Sequence, residues 1–324
     1  MRTRAGALFM GDVMTSFSKL ALSIPDQVVK LEGRGLSISD RATAEHYLKH
    51  IGYYRLSAYA LPFQNRSQLG KPFLSGTRFD QILDLYRFDR ELRLLVLDGI
   101  ERVEVALRSI LNDVMSVRHG PHWFMEPRHF APRFQHHRFI ADIEDTLDIT
   151  TPGGQPQRLH QEVFINHYYA KYGDPHLPPS WMVVEIFPLG SLSRLYANLR
   201  DGQERTAVAT PFGMDEAVLR NWFHVLSHVR NLCAHHARLW NRQLVIKFRQ
   251  VARRHQTFLR TTDRFYAVAV ALYELLQRIA PGTHWNRHLC DLIDRYPVAS
   301  LHPMGFPPNW STEPFWNLGP KGNT

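Results

Sequence analysis

Apolar residues recur three and four positions apart along much of the chain, and the longest such pattern runs over residues 78 to 117. There Ile82, Leu85, Leu92, Val96, Ile100, Val103, Leu107, Ile110 and Val114 line one stripe of a 3.6-residue helix. Thr77 followed by Asp80 resembles a capping box that opens it. A second pattern, Val218, Trp222, Val225, Val229, Leu232, His236 and Leu239, predicts one long helix through residue 242 with Asp215 as its N-cap. Shorter helices are expected over 40 to 51, 134 to 147, 164 to 172, 192 to 199 and 265 to 279. Residues 21 to 39 read as an irregular lead-in, and the apolar run 181 to 187 fits helix or strand equally. Pro303, Pro307 and Pro308 exclude a long helix near the C-terminus.

These patterns predict a mostly all-α protein in which the central helix packs against the 78 to 117 helix in a bundle. Residues 1 to 20 read as a disordered extension, in which Met10 or Met14 is a candidate start. Residues 21 to 296 form the helical domain, and 297 to 324 a Pro- and Trp-rich tail that wraps the surface or frays.

On the central helix, about 100° per residue places His224, Ser227, His228, Asn231, His235 and Arg238 on the polar side. His235 therefore points away from the apolar stripe, whereas His236 lies on it. Asn231 and His235 are four apart, so the amide can fix the imidazole's tautomer and orientation. Arg230 sits about 140° around the helix from His235. The two meet only if the Arg reaches round, the helix bends, or a second copy brings its own pair, and the last option points to a homodimer through these helices. A permanent cation beside a group that titrates near neutrality suits phosphodiester cleavage, with His moving a proton and Arg holding phosphate charge. The plain alternative is Arg230 paired with a carboxylate and His235 solvated.

Charge and composition narrow the partners. The formal net charge of +9 suits a polyanion such as RNA, or simply a soluble basic protein. Arg238, Arg249, Arg253 and Arg254 are candidates for the RNA backbone, the alternative being a solvated face. Arg55, among Tyr53, Tyr54 and Tyr59, is another, unless those aromatics are a helix end packed into the core. Glu101 and Arg108 form salt bridges on the long helix or orient Arg230. His119, His122, His129, His136 and His137 cluster in sequence, but none of their spacings reproduces a helical zinc pair and no Cys pair completes a site, so no metal is expected. Cys233 and Cys290 are too few for a disulfide scaffold and fit a reducing cytoplasm. No apolar run approaches the ~20 residues of a membrane span. Neither a glycine-rich phosphate loop nor a G-x-S-x-G elbow is present, so no cofactor is expected.

The stretch RNLCAHHARLWNR, residues 230 to 242, resembles the signature of the Abi-like (AbiD/AbiF, abortive infection) family of anti-phage proteins, whose helical core is related to HEPN ribonucleases. Residues 46 to 63, 83 to 109 and 179 to 199 look like the family's other blocks, in its order. The resemblance implies a HEPN-like bundle and a metal-independent endoribonuclease, one that arrests growth as a toxin, leaving 2′,3′-cyclic phosphate and 5′-hydroxyl ends. It implies Arg230, Asn231 and His235 as the catalytic set. His236 falls within the permitted spacing, and Glu185 is a candidate to pair with a basic site residue. The rival reading is a non-catalytic RNA- or protein-binding module on the same scaffold.

Overall fold

The computed structural model describes residues 20–150, 153–249 and 259–317, which divide into two compact units at the step from Tyr86 to Arg87. All regular structure among the described residues is helical, with β-type pairing confined to three isolated bridges. Residues 1–19, and with them most of the expected extension, lie outside the described residues, as do Arg253 and Arg254.

The first unit holds α1 (Ile24–Glu32), α2 (Arg41–Ile51), α3 (Tyr53–Ala60) and the start of α4 (Phe79–His119). α1 replaces the expected irregular lead-in. Ser23 accepts the Asp26 N–H at 3.3 Å, Pro25 sits in the first turn, and the Asp26 carboxylate lies at the positive end of the helix dipole. Only Val28 and Leu31 are buried, so the apolar pattern is too short to reveal the helix. Asp40 caps α2 as expected, accepting the Thr43 N–H at 3.1 Å. Gly52, at φ 93°, ends α2 in a conformation open to glycine, and α3 starts at the next residue. The aromatics there divide: Tyr59 is buried edge-on against Tyr86, whereas Tyr54 is exposed.

α4 starts later than the capping-box reading implies. The Thr77 hydroxyl donates to the Leu74 carbonyl at 2.7 Å, and the cap falls to Gln81, whose side chain accepts the Arg78 N–H at 2.8 Å. With 41 residues, α4 is about 60 Å long.

The second unit continues α4 and adds α5 (His136–Thr146), α6 (Val163–Lys171), α7 (Ser180–Val183), α8 (Leu189–Ala197), α9 (Gly202–Ala209), α10 (Glu216–Ala234), α11 (Phe265–Ile279) and α12 (Trp285–Arg295). Neither α9 nor α12 is among the helices expected from periodicity. The ambiguous run over 181 to 187 resolves as α7 followed by a 3-10 turn, Val184–Ile186. Along α4 the expected stripe is buried from Leu92 to Leu107, after which Leu111 and Met115 are buried and Ile110 and Val114 only half so. Steps of four advance about 40° beyond a full turn, which rotates the buried face.

α11 is buried on nearly every side. α4 approaches it and α12 at Gly99, where an added Cβ would lie 3.0 Å from Trp285 Nε1 and 3.5 Å from Leu272. The Trp285 indole N–H donates to the Leu95 carbonyl at 2.8 Å, locking α12 to α4. Up to Asn317 the C-terminal segment packs onto the second unit, with Trp310 and Trp316 buried. Trp316 is fully buried and stacked on Tyr273, and its carbonyl accepts from the Asn286 amide at 2.6 Å.

Candidate active site

α10 begins as the sequence predicts, with Asp215 accepting the N–H groups of Ala217 (2.9 Å) and Val218 (3.3 Å). It ends earlier than predicted. Ala234 is the last helical residue, and the expected continuation through residue 242 is absent. The His236 N–H donates to the Cys233 carbonyl (3.0 Å) and the Ala237 N–H to the Leu232 carbonyl (2.8 Å), the two bonds of a Schellman C-cap. The left-handed residue of that cap is His236, at φ 55°. Histidine tolerates this region better than most side chains, at a cost of about 1 kcal/mol relative to glycine. His236 thus leaves the apolar stripe on which periodicity placed it and is exposed.

What turns the chain is a buried anchor on α4. Asp89 Oδ1 accepts the N–H groups of Leu239 (3.0 Å) and Trp240 (2.5 Å), while its Oδ2 pairs with Arg93. Both charged side chains are buried, Asp89 completely. Leu239 and Trp240 are buried with them. No pattern in the motif itself signals this, because the carboxylate comes from 150 residues upstream.

His235 caps α10, its N–H still donating to the Asn231 carbonyl at 3.0 Å, so the helical angles hold up to it. Asn231 and His235 are both exposed and share a face, as their spacing predicts. Arg230 is half-buried on a different side, its guanidinium 3.4 Å from the Asn231 side-chain oxygen. It lines an open groove of about 350 Å³ with Leu97, Ile100, Glu101, Glu104, Val105 and Arg108 of α4. His235 is not part of that lining. The groove's two Glu and two Arg balance in formal charge.

Within the groove Arg108 acts as a clamp. Its guanidinium donates to the carbonyls of Val184 (2.8 Å) and Phe187 (3.0 Å) and to Glu104 (3.2 Å), and lies 3.5 Å from Glu185. Glu185 therefore pairs with Arg108, and the pair fixes the turn after α7. Glu101 is exposed on the groove rim.

A second open cleft, about 590 Å³, lies along α8 and α10, the most closely packed helix pair in this unit. Between these two helices Tyr196 and Phe223 meet edge-on, their ring centres 5.8 Å apart; α4 lies against α10 as well, at the Arg230 groove. The cleft's charged side chains are Arg194, Arg220 and Arg249, and His224 joins them. Arg194 is shared with Asp142 at 2.8 Å. Arg249 is held by its backbone, its N–H on Asn221 (2.6 Å) and its carbonyl on the Trp222 indole (3.2 Å). His224, Asn231 and His235 lie within about 40° of one another around α10, so the cleft's helix face runs on to the Asn231–His235 pair. Arg220 and Arg194 are missing from the sequence reading; Arg220, four residues before His224, carries a legible signal, whereas Arg194 does not.

Ser227, expected on the polar side, is buried and donates back to the His224 carbonyl at 2.9 Å. Burial, and then the charge of Arg242, hold the His228 imidazole below the ordinary histidine range. Burial pushes the Cys233 thiol up to about 12. Arg55 and Arg238 are half-buried, and Arg55 belongs to the first unit.

The clustered histidines separate. His136 Nε2 meets the Phe124 carbonyl at 2.8 Å. His122 Nε2 is buried without a hydrogen-bond partner, and burial holds its imidazole below the ordinary range. His119 and His129 come together with Glu204 from the first turn of α9. Glu204 is the group that sequence reasoning could not connect to them, lying 85 residues from His119.

Among the described residues no helix is long and apolar enough to cross a membrane. Residues 46–241 match the model of a family described as Abi-like protein, a span holding every block of the resemblance but the last motif residue. No curated protein and no solved structure matches the chain.

Proposed function

The chain belongs to the Abi-like protein family, and from that premise we propose that it serves abortive-infection defence as an endoribonuclease whose chemistry needs no metal. His235 takes the proton of a ribose 2′-hydroxyl, whose oxygen attacks the adjacent phosphorus. The 5′-oxygen leaves and takes a proton from the imidazolium so formed or from water, so the products carry a 2′,3′-cyclic phosphate and a 5′-hydroxyl. Asn231 orients the imidazole, and Arg230 holds the charge on the phosphorane oxygens. RNA rather than DNA is cut because the nucleophile is internal to the substrate.

The observation that carries this reading is the continuity of the α10 face. A cleft lined by Arg194, Arg220 and Arg249 leads along it to an exposed, helix-terminal His235 with Asn231 one turn below. Such a cleft suits a phosphate backbone. Arg230 faces the α4 groove instead, about 140° around the helix from His235. In the working form a second copy of the chain therefore supplies its own Arg230 to the cleft, and a fully active monomer would remove that part of the reading.

The charge balance of the Arg230 groove supports a second reading, a non-catalytic module that holds RNA or a protein. One experiment separates them: total RNA incubated with the pure protein in EDTA, beside Arg230→Ala and His235→Ala, with product ends mapped. Cleavage lost in both variants, RNA binding kept in His235→Ala, and cyclic-phosphate ends are expected. RNA that is bound but left intact by the parent protein favours the second reading.

A further inference from the structure

The remaining chemistry of the second unit is gathered where α4 ends. His119 is the last residue of α4, His129 closes the 3-10 turn Pro127–His129, and Glu204 stands in the first turn of α9. One ligand atom from each lies within 4.8 Å of the others. Glu204 is 4 % exposed, and its Oε1 meets His119 Nε2. The two imidazole rings sit 4.1 Å apart, centre to centre. His129 Nε2 is sealed from solvent and has no hydrogen-bond partner.

We propose that His119, His129 and Glu204 form a binding site for a divalent transition-metal cation of the zinc type. Two imidazoles and one carboxylate are a ligand set that zinc takes, with a fourth position left for water or an incoming ligand. The His119 side chain is 26 % exposed, so the cluster is open to solvent on one side. The frame is built independently of any ion. The Arg200 N–H donates to the His129 carbonyl and the Ala131 N–H to the Asn198 carbonyl, both at 2.8 Å, which fixes the His129 segment against the chain leading into α9. A simple His119–Glu204 ion pair accounts for two of the three groups. It leaves the buried His129 nitrogen unsatisfied, which native interiors rarely tolerate.

A bound cation would tie the end of α4, the following loop and α9 together. α9 in turn holds the start of α10 through Arg205 Nε and Glu216 at 2.9 Å. The site is therefore a stability device, separate from the cleavage chemistry assigned to Asn231 and His235, and does not depend on it.

The test uses the untagged full chain, stripped with EDTA, dialysed and titrated with Co²⁺ while visible absorption is followed. One saturable equivalent with the intense bands of a four-coordinate ion is expected, displaced by Zn²⁺ and absent in His119→Ala. With Zn²⁺ in large excess over its Kd, the melting temperature of the parent rises by about 5 °C and that of His119→Ala does not. His119 lies at a helix end and is solvent-accessible, so the variant's fold can be verified by circular dichroism. Glu204→Gln, which keeps the shape of the buried group, is expected to weaken Co²⁺ binding at least tenfold. A parent that binds no saturable equivalent, or a His119→Ala protein that binds it equally, overturns the proposal.

Discussion

The Asp89 carboxylate accepts the Trp240 backbone N–H at 2.5 Å across 151 residues of sequence. The same oxygen takes the Leu239 N–H, and Arg93 holds the other. A buried carboxylate with this set of donors leaves an uncompensated Arg93 when it is removed. Asp89→Ala is accordingly expected to destabilise the protein by about 3–5 kcal/mol, read by urea unfolding. A loss below about 1 kcal/mol would mean that the segment after α10 is held by something else.

The left-handed His236 separates the two adjacent histidines. Glycine adopts φ 55° without penalty, so His236→Gly is expected to hold stability or raise it by up to about 1 kcal/mol. RNA cleavage should persist in it and vanish in His235→Ala. Loss of cleavage in a stable His236→Gly protein would transfer the proton-moving role to His236.

The cleft between α8 and α10 makes a prediction in salt. If Arg249 contacts phosphate, Arg249→Ala should lower the slope of log affinity against log salt by about 0.7 for single-stranded RNA, across sequences alike. The slope would be measured by filter binding between low and physiological salt. An unchanged slope would place the RNA elsewhere on the surface.

Cys233 lies within the motif yet is expected to be inert. Burial raises its thiol to about 12, so below that pH it stays protonated in the folded state and offers almost no thiolate. Cys290 is also buried. Native protein at pH 8 should resist iodoacetamide and yield two modified cysteines only on unfolding, a count that mass spectrometry provides. Rapid labelling of Cys233 in the native state would show that the end of α10 opens.

Helices with a long apolar stripe were legible because their signal is local. The stripe from Leu92 to Leu107 and the Asp215 cap of α10 need only spacing and a side chain next to its own backbone. α1 and α9 escaped notice because they bury few side chains, and α9 carried with it Glu204, the partner of His119. The end of α10 was misread because residues 236 and 239 keep helical spacing and no glycine marks the cap.

By itself, then, the chain's sequence determined its helical character, its membership of the Abi-like family and the shared face of Asn231 and His235. Those are properties of residues a few positions apart. Tertiary structure alone decided that α10 stops at Ala234, that Arg230 faces Glu101 and Glu104, and that Glu204 joins His119 and His129. Each of these depends on a group brought from a distant part of the chain by burial, and periodicity carries no information about which distant group arrives.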